Sequence, residues 1–254
     1  MEIIIGVFIF LLGAIIGSFL NVCIFRIPKE ESIVFPPSHC GNCNTKLKGK
    51  DLVPVLSYIL LKGRCRYCKD KVSIQYPIIE GFTGILFMIL YLKYGLTLSL
   101  LSFISLTAIL IVIGIIDYKT QYVYTSNIIT GIIFGIIFVA LSFILGERVD
   151  LINVALGAFI PALILAVIVW TTNAMGWGDV EIIFMTGIFL GLKLNLLNLF
   201  ISIVLGGSYA IYLMLCRKKS GKEEMAFGPY IAVATYITIL FGEQILNWYM
   251  GTFF

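Results

Sequence analysis

Long apolar blocks alternate with short polar segments along this chain. The blocks cover residues 3–25, 76–94, 97–116, 126–146, 151–171, 179–192, 196–216 and 227–250. Most are close to the ~20 residues that an α-helix needs to cross about 30 Å of hydrocarbon, and the sixth is shorter. Their residues lack the alternating polarity of membrane β-strands. The pattern therefore predicts an all-α, polytopic membrane bundle of about eight transmembrane helices.

The composition supports this interpretation, because 60% of the residues are hydrophobic and only 13% are charged. Soluble domains average about 45–50% apolar and about 25% charged residues. The first block follows Glu2 rather than a basic segment and contains no small-residue cleavage site. We interpret it as a retained first helix rather than a signal peptide.

The basic residues are distributed unevenly between the two sides of the predicted topology. Ten of the eighteen lie within 26–75, one is Lys119 and four lie within 217–222, whereas the other side holds Lys93, Arg148 and Lys193. The positive-inside rule assigns the basic side to the cytoplasm, so both termini are expected outside. This topology, with contact to anionic lipid, explains the net charge of +4 without a nucleic-acid partner.

One polar segment is long enough to form a separate module, which predicts a division into a first helix (1–25), a cytoplasmic loop domain (26–75) and a membrane core (76–254). The loop contains Cys40-Gly-Asn-Cys43 and Cys65-Arg-Tyr-Cys68, with 21 residues between the pairs. Two such pairs can bring four thiolates to one tetrahedral ion. Zinc is favoured over iron, and disulfides are disfavoured in a reducing cytoplasm. His39 is an alternative ligand, but four cysteines are already available. We expect the metal to supply much of the loop's stability.

Two aspartates stand at the ends of predicted spans. Asp117 follows Ile115-Ile116 at the end of the third block, and Asp179 follows Gly176-Trp177-Gly178 at the start of the sixth. Each alone fits a structural role, as an interfacial charge or a helix cap. Together they are expected at the same cytoplasmic edge. Two carboxylates about 5 Å apart repel by roughly 3 kcal/mol at an effective dielectric near 20. One would then stay protonated while the other activates water, which predicts an aspartate pair for peptide hydrolysis.

Taken in order, the motifs resemble the bacterial type IV prepilin peptidases, which are GxGD membrane aspartyl proteases. The resemblance covers nearly the whole chain. Besides the cysteine pairs, it rests on Gly17-Ser18-Phe19-Leu20-Asn21-Val22 with Arg26, Pro54-Val55-Leu56-Ser57-Tyr58, Tyr76-Pro77-Ile78-Ile79-Glu80, Asp117, Gly176-Trp177-Gly178-Asp179, and Phe227-Gly228-Pro229.

The resemblance implies a multi-pass protein of the bacterial cytoplasmic membrane that cleaves the basic leader from prepilins or pseudopilins. It also implies methylation of the new N-terminus with S-adenosylmethionine. Glu80 and Gly84 match positions that the family associates with this second activity, so they are its candidate cofactor-binding residues. Members of the family often have Lys where this chain has Glu181. Glu181 could add a third charge to the aspartates or face the loop.

Two other functions remain open at this stage. One is a peptidase without the methyltransferase activity, although such relatives tend to lack the cysteine loop. The other is a membrane metal sensor or transporter that uses the two aspartates as an ion path.

Overall fold

The computed structural model describes residues 2–172, 175–217 and 226–253. Within these ranges, seven helices are long and apolar enough to cross a membrane, and the loop contains one short α-helix and two 3-10 turns, Ile27–Lys29 and Gly49–Asp51. The helices are α1 (Glu2–Arg26), α2 (Leu56–Leu60), α3 (Gln75–Tyr94), α4 (Leu98–Thr120), α5 (Thr125–Ile144), α6 (Leu151–Thr172), α7 (Trp177–Arg217) and α8 (Gly228–Phe253). The only β-structure in the described parts of the chain is two isolated bridges in the loop. The predicted all-α class is confirmed.

Helix α7 accounts for two of the eight predicted spans, because it folds back on itself at Gly191. The backbone there has φ 70° and ψ −179°, which is not helical. The side-chain amide of Asn195 donates to the carbonyl of Ile183 over 2.9 Å. Residues twelve apart on a straight helix would lie about 18 Å from each other. The two halves of α7 therefore form an antiparallel hairpin that corresponds to the predicted sixth and seventh spans.

Small residues allow α6 to pack closely against this hairpin. A Cβ atom on Gly187 would lie 2.1 Å from the carbonyl oxygen of Gly157, and one on Gly157 would lie 2.4 Å from the carbonyl carbon of Gly191. Asn153 accepts a hydrogen bond from the backbone N–H of Leu192, just after the break. In lipid, backbone groups freed at a break must find partners within the protein. The side chain of Asn153 provides such a partner for Leu192.

By its internal contacts the chain divides into two compact units, Met1–Leu96 and Thr97–Phe254. In the first unit α1 packs on α3 through glycines, since Cβ atoms on Gly13 and Gly17 would lie 2.8 Å from the Cα atoms of Gly84 and Glu80. The second unit contains α4 to α8. The predicted three-part division stays a prediction.

Candidate active site and metal centre

Asp117 lies in the last turn of α4 and is only 4% exposed. Its Oδ2 accepts a hydrogen bond of 2.8 Å from the backbone N–H of Gly228, the first residue of α8. A Cβ atom on Gly228 would lie 2.7 Å from that oxygen. The missing side chain at position 228 therefore lets the carboxylate sit directly on the backbone of α8.

Asp179 lies in the first turn of α7 and is 5% exposed. Its Oδ2 accepts a hydrogen bond of 3.2 Å from the backbone N–H of Gly176, three residues earlier. A Cβ atom on Gly178 would lie 2.6 Å from the Cβ atom of Val123. Both glycines of the predicted motif thus have a physical role. One supplies a donor to the carboxylate, and the other lets the segment after α4 approach α7.

The structure brings the segments that carry the two aspartates together, because Val123, six residues after Asp117, lies against Gly178, the residue before Asp179. In each, Oδ2 is held by a backbone N–H, which leaves Oδ1 available to a water molecule or a substrate. Glu181 is exposed and lies about 200° around the helix from Asp179, so it points away from the pair. A carboxylate pair of this kind is suited to acid–base catalysis on a water molecule.

The sequence could not reveal the role of Gly228. It is 111 residues from Asp117, and only the packing of α8 against α4 brings the two together. The signal that was available is a glycine directly before Pro229, at the predicted start of the last helix. That glycine indicated a special backbone position, but it did not indicate that the position contacts Asp117.

The four predicted metal ligands form one cluster in the loop. The Sγ atoms of Cys40, Cys43, Cys65 and Cys68 all lie within 4.8 Å of one another. Those of Cys40 and Cys68 are 3.8 Å apart. A tetrahedral zinc ion with Zn–S bonds of about 2.3 Å requires sulfurs about 3.8 Å apart. The side chains therefore fit a structural zinc ion, which the four thiolates would hold without another ligand.

The two cysteine pairs have the same backbone geometry. The N–H of Cys40 donates to the carbonyl of Thr45, and the N–H of Cys65 donates to that of Asp70, five residues on in both cases. Each turn contains a residue with positive φ just after its second cysteine, Asn44 at 53° and Lys69 at 62°. The two turns are closed by the bridges His39–Lys46 and Arg64–Lys71. Each pair is thus a rigid turn that presents two sulfurs on one side.

Cys43 has a polar contact with Thr45 within this centre. A hydrogen bond between Cys43 Sγ and Thr45 Oγ1, 3.3 Å long, lowers the pKa of the Cys43 thiol to about 6. This favours the thiolate that binds metal.

Asp51 holds the second cysteine turn in place. It accepts hydrogen bonds from Arg66 Nε and from the Tyr67 hydroxyl, and these are the two residues between Cys65 and Cys68. The bond from the Arg66 guanidinium holds the pKa of Asp51 below its usual range. The carboxylate of Asp51 thus fixes both residues between Cys65 and Cys68, although it lies well before them in the sequence.

The predicted cofactor residues Glu80 and Gly84 both lie at the contact between α1 and α3. Gly84 is covered by Phe10, whose ring would lie 2.8 Å from a Cβ atom at position 84. Glu80 is 7% exposed, and its Oε2 accepts a 2.7 Å hydrogen bond from the N–H of Val55. Both residues therefore have structural contacts that the sequence did not reveal. Direct contact with a methyl donor stays a prediction.

Comparisons with known proteins agree with this architecture. Residues 11–94 match the model of the bacterial peptidase A24 N-terminal domain, and residues 104–211 match that of the type IV leader peptidase family.

Three relatives, each named prepilin leader peptidase/N-methyltransferase, align along most of their length. The protein of Pseudomonas putida is 30% identical over 92% of this chain and 90% of its own. That of Bacillus subtilis is 30% identical over 95% of this chain and 96% of its own. That of Neisseria gonorrhoeae is 32% identical over 94% of this chain and 92% of its own. No solved structure matches the chain. From these relatives and the family models, the chain belongs to the type IV leader peptidase family.

Proposed function

We propose that this protein removes the leader peptide from type IV prepilins or pseudopilins and then N-methylates the new N-terminal residue. The observation that carries the proposal is the buried pair of Asp117 and Asp179, each with one oxygen fixed by a glycine N–H. The names of the relatives contain both activities.

In the proposed cleavage, a water molecule lies between the free oxygens of the pair. The ionised carboxylate takes a proton from the water, and the oxygen of that water attacks the scissile carbonyl carbon. The protonated carboxyl gives its proton to the carbonyl oxygen. The tetrahedral intermediate then collapses: the leaving amine takes the proton that the first carboxyl gained from the water, the C–N bond breaks, and a hydroxyl of the intermediate returns its proton to the second carboxylate. The backbone donors hold both carboxylates in position without titrating themselves.

The proposed site faces the cytoplasm, in keeping with the excess of Lys and Arg on that side of the predicted topology. Both termini then lie outside. A prepilin has its basic leader in the cytoplasm and its apolar segment in the bilayer, so the bond between them reaches that edge. Because the leader is basic, acidic side chains are candidate contacts for it. Glu30 and Glu31 are exposed, whereas Glu223 and Glu224, candidates on the same ground of charge, lie outside the described residues.

The second activity is proposed to use S-adenosylmethionine, which supplies an electrophilic methyl group to the freed amine. The buried Glu80 and the covered Gly84 offer no open surface to a nucleoside in this structure. Neither residue is assigned a step of the transfer. The structural zinc ion is proposed to order the loop rather than to take part in either reaction.

Cleavage of a model prepilin in detergent tests the first activity. Asp117→Asn and Asp179→Asn are each expected to abolish cleavage while the protein stays folded, as measured by its thermal unfolding. Glu181→Gln is the matched control, because this exposed acid is two residues from Asp179 and should retain activity. Full cleavage by either Asn variant would refute the proposed chemistry.

The same preparation separates the other candidate functions. Transfer of a labelled methyl group from S-adenosylmethionine to the cleaved pilin is expected, and a peptidase without the second activity would show none. Metal flux in vesicles, together with cleavage that survives both Asp→Asn changes, would instead indicate a transporter.

A further inference from the structure

The short helix α2 exposes an apolar face within the otherwise polar loop. Leu56, Ile59 and Leu60 are 56%, 62% and 79% exposed. Their spacing of three and four residues places them on one side of the helix. Exposed apolar clusters of this kind mark surfaces that contact a partner or a membrane.

The packing of α1 on α3 indicates how deep α2 lies in the bilayer. Gly17 of α1 lies against Glu80 of α3, since a Cβ atom on Gly17 would be 2.8 Å from the Glu80 Cα atom. From Gly17, α1 continues for nine residues to Arg26, which is about 13 Å along the helix axis. Since α1 is about 37 Å long and the hydrocarbon is about 30 Å thick, α1 extends only about 7 Å beyond the hydrocarbon. Gly17 is farther than that from the end of α1, so Gly17 and the neighbouring Glu80 lie inside the hydrocarbon.

The start of α2 lies at this same level. The N–H of Val55, the residue before α2, donates to Glu80 Oε2, and the Val55 side chain lies 3.9 Å from a Cβ atom placed on Gly81. The loop therefore does not stay above the membrane. It turns back beside the second turn of α3 and begins α2 there.

The backbone polar groups at this turn have partners within the protein. Val55 has φ 59° and ψ −50°, and the N–H of Leu56 donates to the carbonyl of Pro54 over 2.6 Å. These features define a classic γ-turn, a rare and strained conformation. Non-helical backbone at membrane depth is tolerated where its polar groups find partners in the protein. Glu80 provides that partner for Val55.

We propose that residues 53–61 form a re-entrant segment whose exposed face contacts lipid acyl chains. The face continues an apolar row on α3, because Gly81 is flanked on that helix by Ile78, Phe82 and Ile85, which are 57%, 52% and 46% exposed. Lysines lie near both ends of the segment, Lys50 before it and Lys62 directly after it. Such side chains can extend to the headgroups while their stems stay among apolar groups. The proposal concerns residues of the first unit alone and does not depend on the enzymatic activity.

An environment-sensitive fluorescent amino acid, incorporated genetically at position 60, avoids labelling the six native cysteines. The full-length protein is reconstituted in vesicles of phosphatidylethanolamine and phosphatidylglycerol without prepilin. We expect blue-shifted emission that nitroxide groups on the lipid acyl chains quench strongly and that aqueous iodide quenches weakly. The same probe at Phe82 on α3 is the lipid-exposed control, and at Asn42 in the first cysteine turn it is the water-exposed control.

Variants at Glu80 test the anchor. Glu80→Ala is expected to shift emission at position 60 to the red and to open it to iodide, because the Val55 N–H loses its acceptor. Glu80→Gln keeps an acceptor oxygen and should behave as the wild type. Emission and quenching at position 60 like those at position 42 would overturn the proposal. A blue shift that appears only when prepilin is added would also overturn the proposal, because the exposed face would then contact the substrate rather than lipid.

Discussion

Replacing Gly228 by alanine should impair the aspartate pair while leaving the fold intact. Gly228 donates its backbone N–H to Asp117 Oδ2 at 2.8 Å, and a Cβ atom there would lie 2.7 Å from the same oxygen and 3.2 Å from the carboxyl carbon. These contacts are too short for a methyl group. The carboxyl group must therefore swing away from α8 and lose its hydrogen bond.

The size of the effect follows from that bond. Hydrogen bonds to charged groups contribute about 1.5–3 kcal/mol. At about 1.4 kcal/mol for each factor of ten in rate, kcat/KM for prepilin cleavage should fall about 10- to 150-fold. Alanine is a better helix former than glycine, so the change should not weaken α8 itself.

The assay measures kcat/KM in detergent at equal amounts of folded protein, with thermal unfolding recorded for each preparation. Gly207→Ala in α7 is the matched control, because nothing lies within 4 Å of a Cβ atom at that position. It should retain full activity. If Gly228→Ala cleaves as fast as Gly207→Ala, the backbone donor does not position Asp117 and the account of the site is wrong.

Three further predictions concern the metal loop and the hairpin. The protein should carry about one zinc ion per chain by elemental analysis, and Cys43→Ser should make the loop sensitive to protease while helicity is retained. Since the pKa of Asp51 is lowered on folding, its stabilisation of the loop is present above about pH 4 and lost as the pH falls below it. Limited proteolysis should show this loss in the wild type, and Asp51→Asn should be cleaved readily even at pH 7. Gly157→Ala should destabilise the protein by about 1–3 kcal/mol, seen as a lower Tm, because the new methyl group would meet the backbone of Gly191. An unchanged Tm would contradict the packing described for α6.

The spans and the cysteine cluster could be predicted because each depends on local sequence. The length of an apolar run decides whether it can cross a membrane, and a C-x2-C turn presents two sulfurs wherever it folds. The hairpin in α7 was harder to define. The two predicted spans were separated at residues 193–195, near the observed break at Gly191. The bonds of Asn195 to Ile183 and of Asn198 to Thr186 show that the halves fold back on each other.

The environment of Glu80 depends on tertiary contacts that no local pattern contains. Resemblance indicated a cofactor contact, whereas the structure shows a bond to Val55, 25 residues earlier. A buried carboxylate beside a strained turn has a structural reason to be there. For that reason Glu80→Gln, which keeps the acceptor, distinguishes an anchor of the loop from a residue that binds the methyl donor through its charge.

The hairpin α7 links the positions of the two aspartates. Its first half carries Asp179, and its second half carries Gly206, against which the ring of Phe227 packs, 2.3 Å from a Cβ atom placed on that glycine. Phe227 is buried and directly precedes Gly228, the donor to Asp117. The fold at Gly191 therefore sets where Asp179 lies and, through Phe227, where the backbone donor meets Asp117. A change at the hairpin turn should consequently disturb both carboxylates, although it is far from either along the helix.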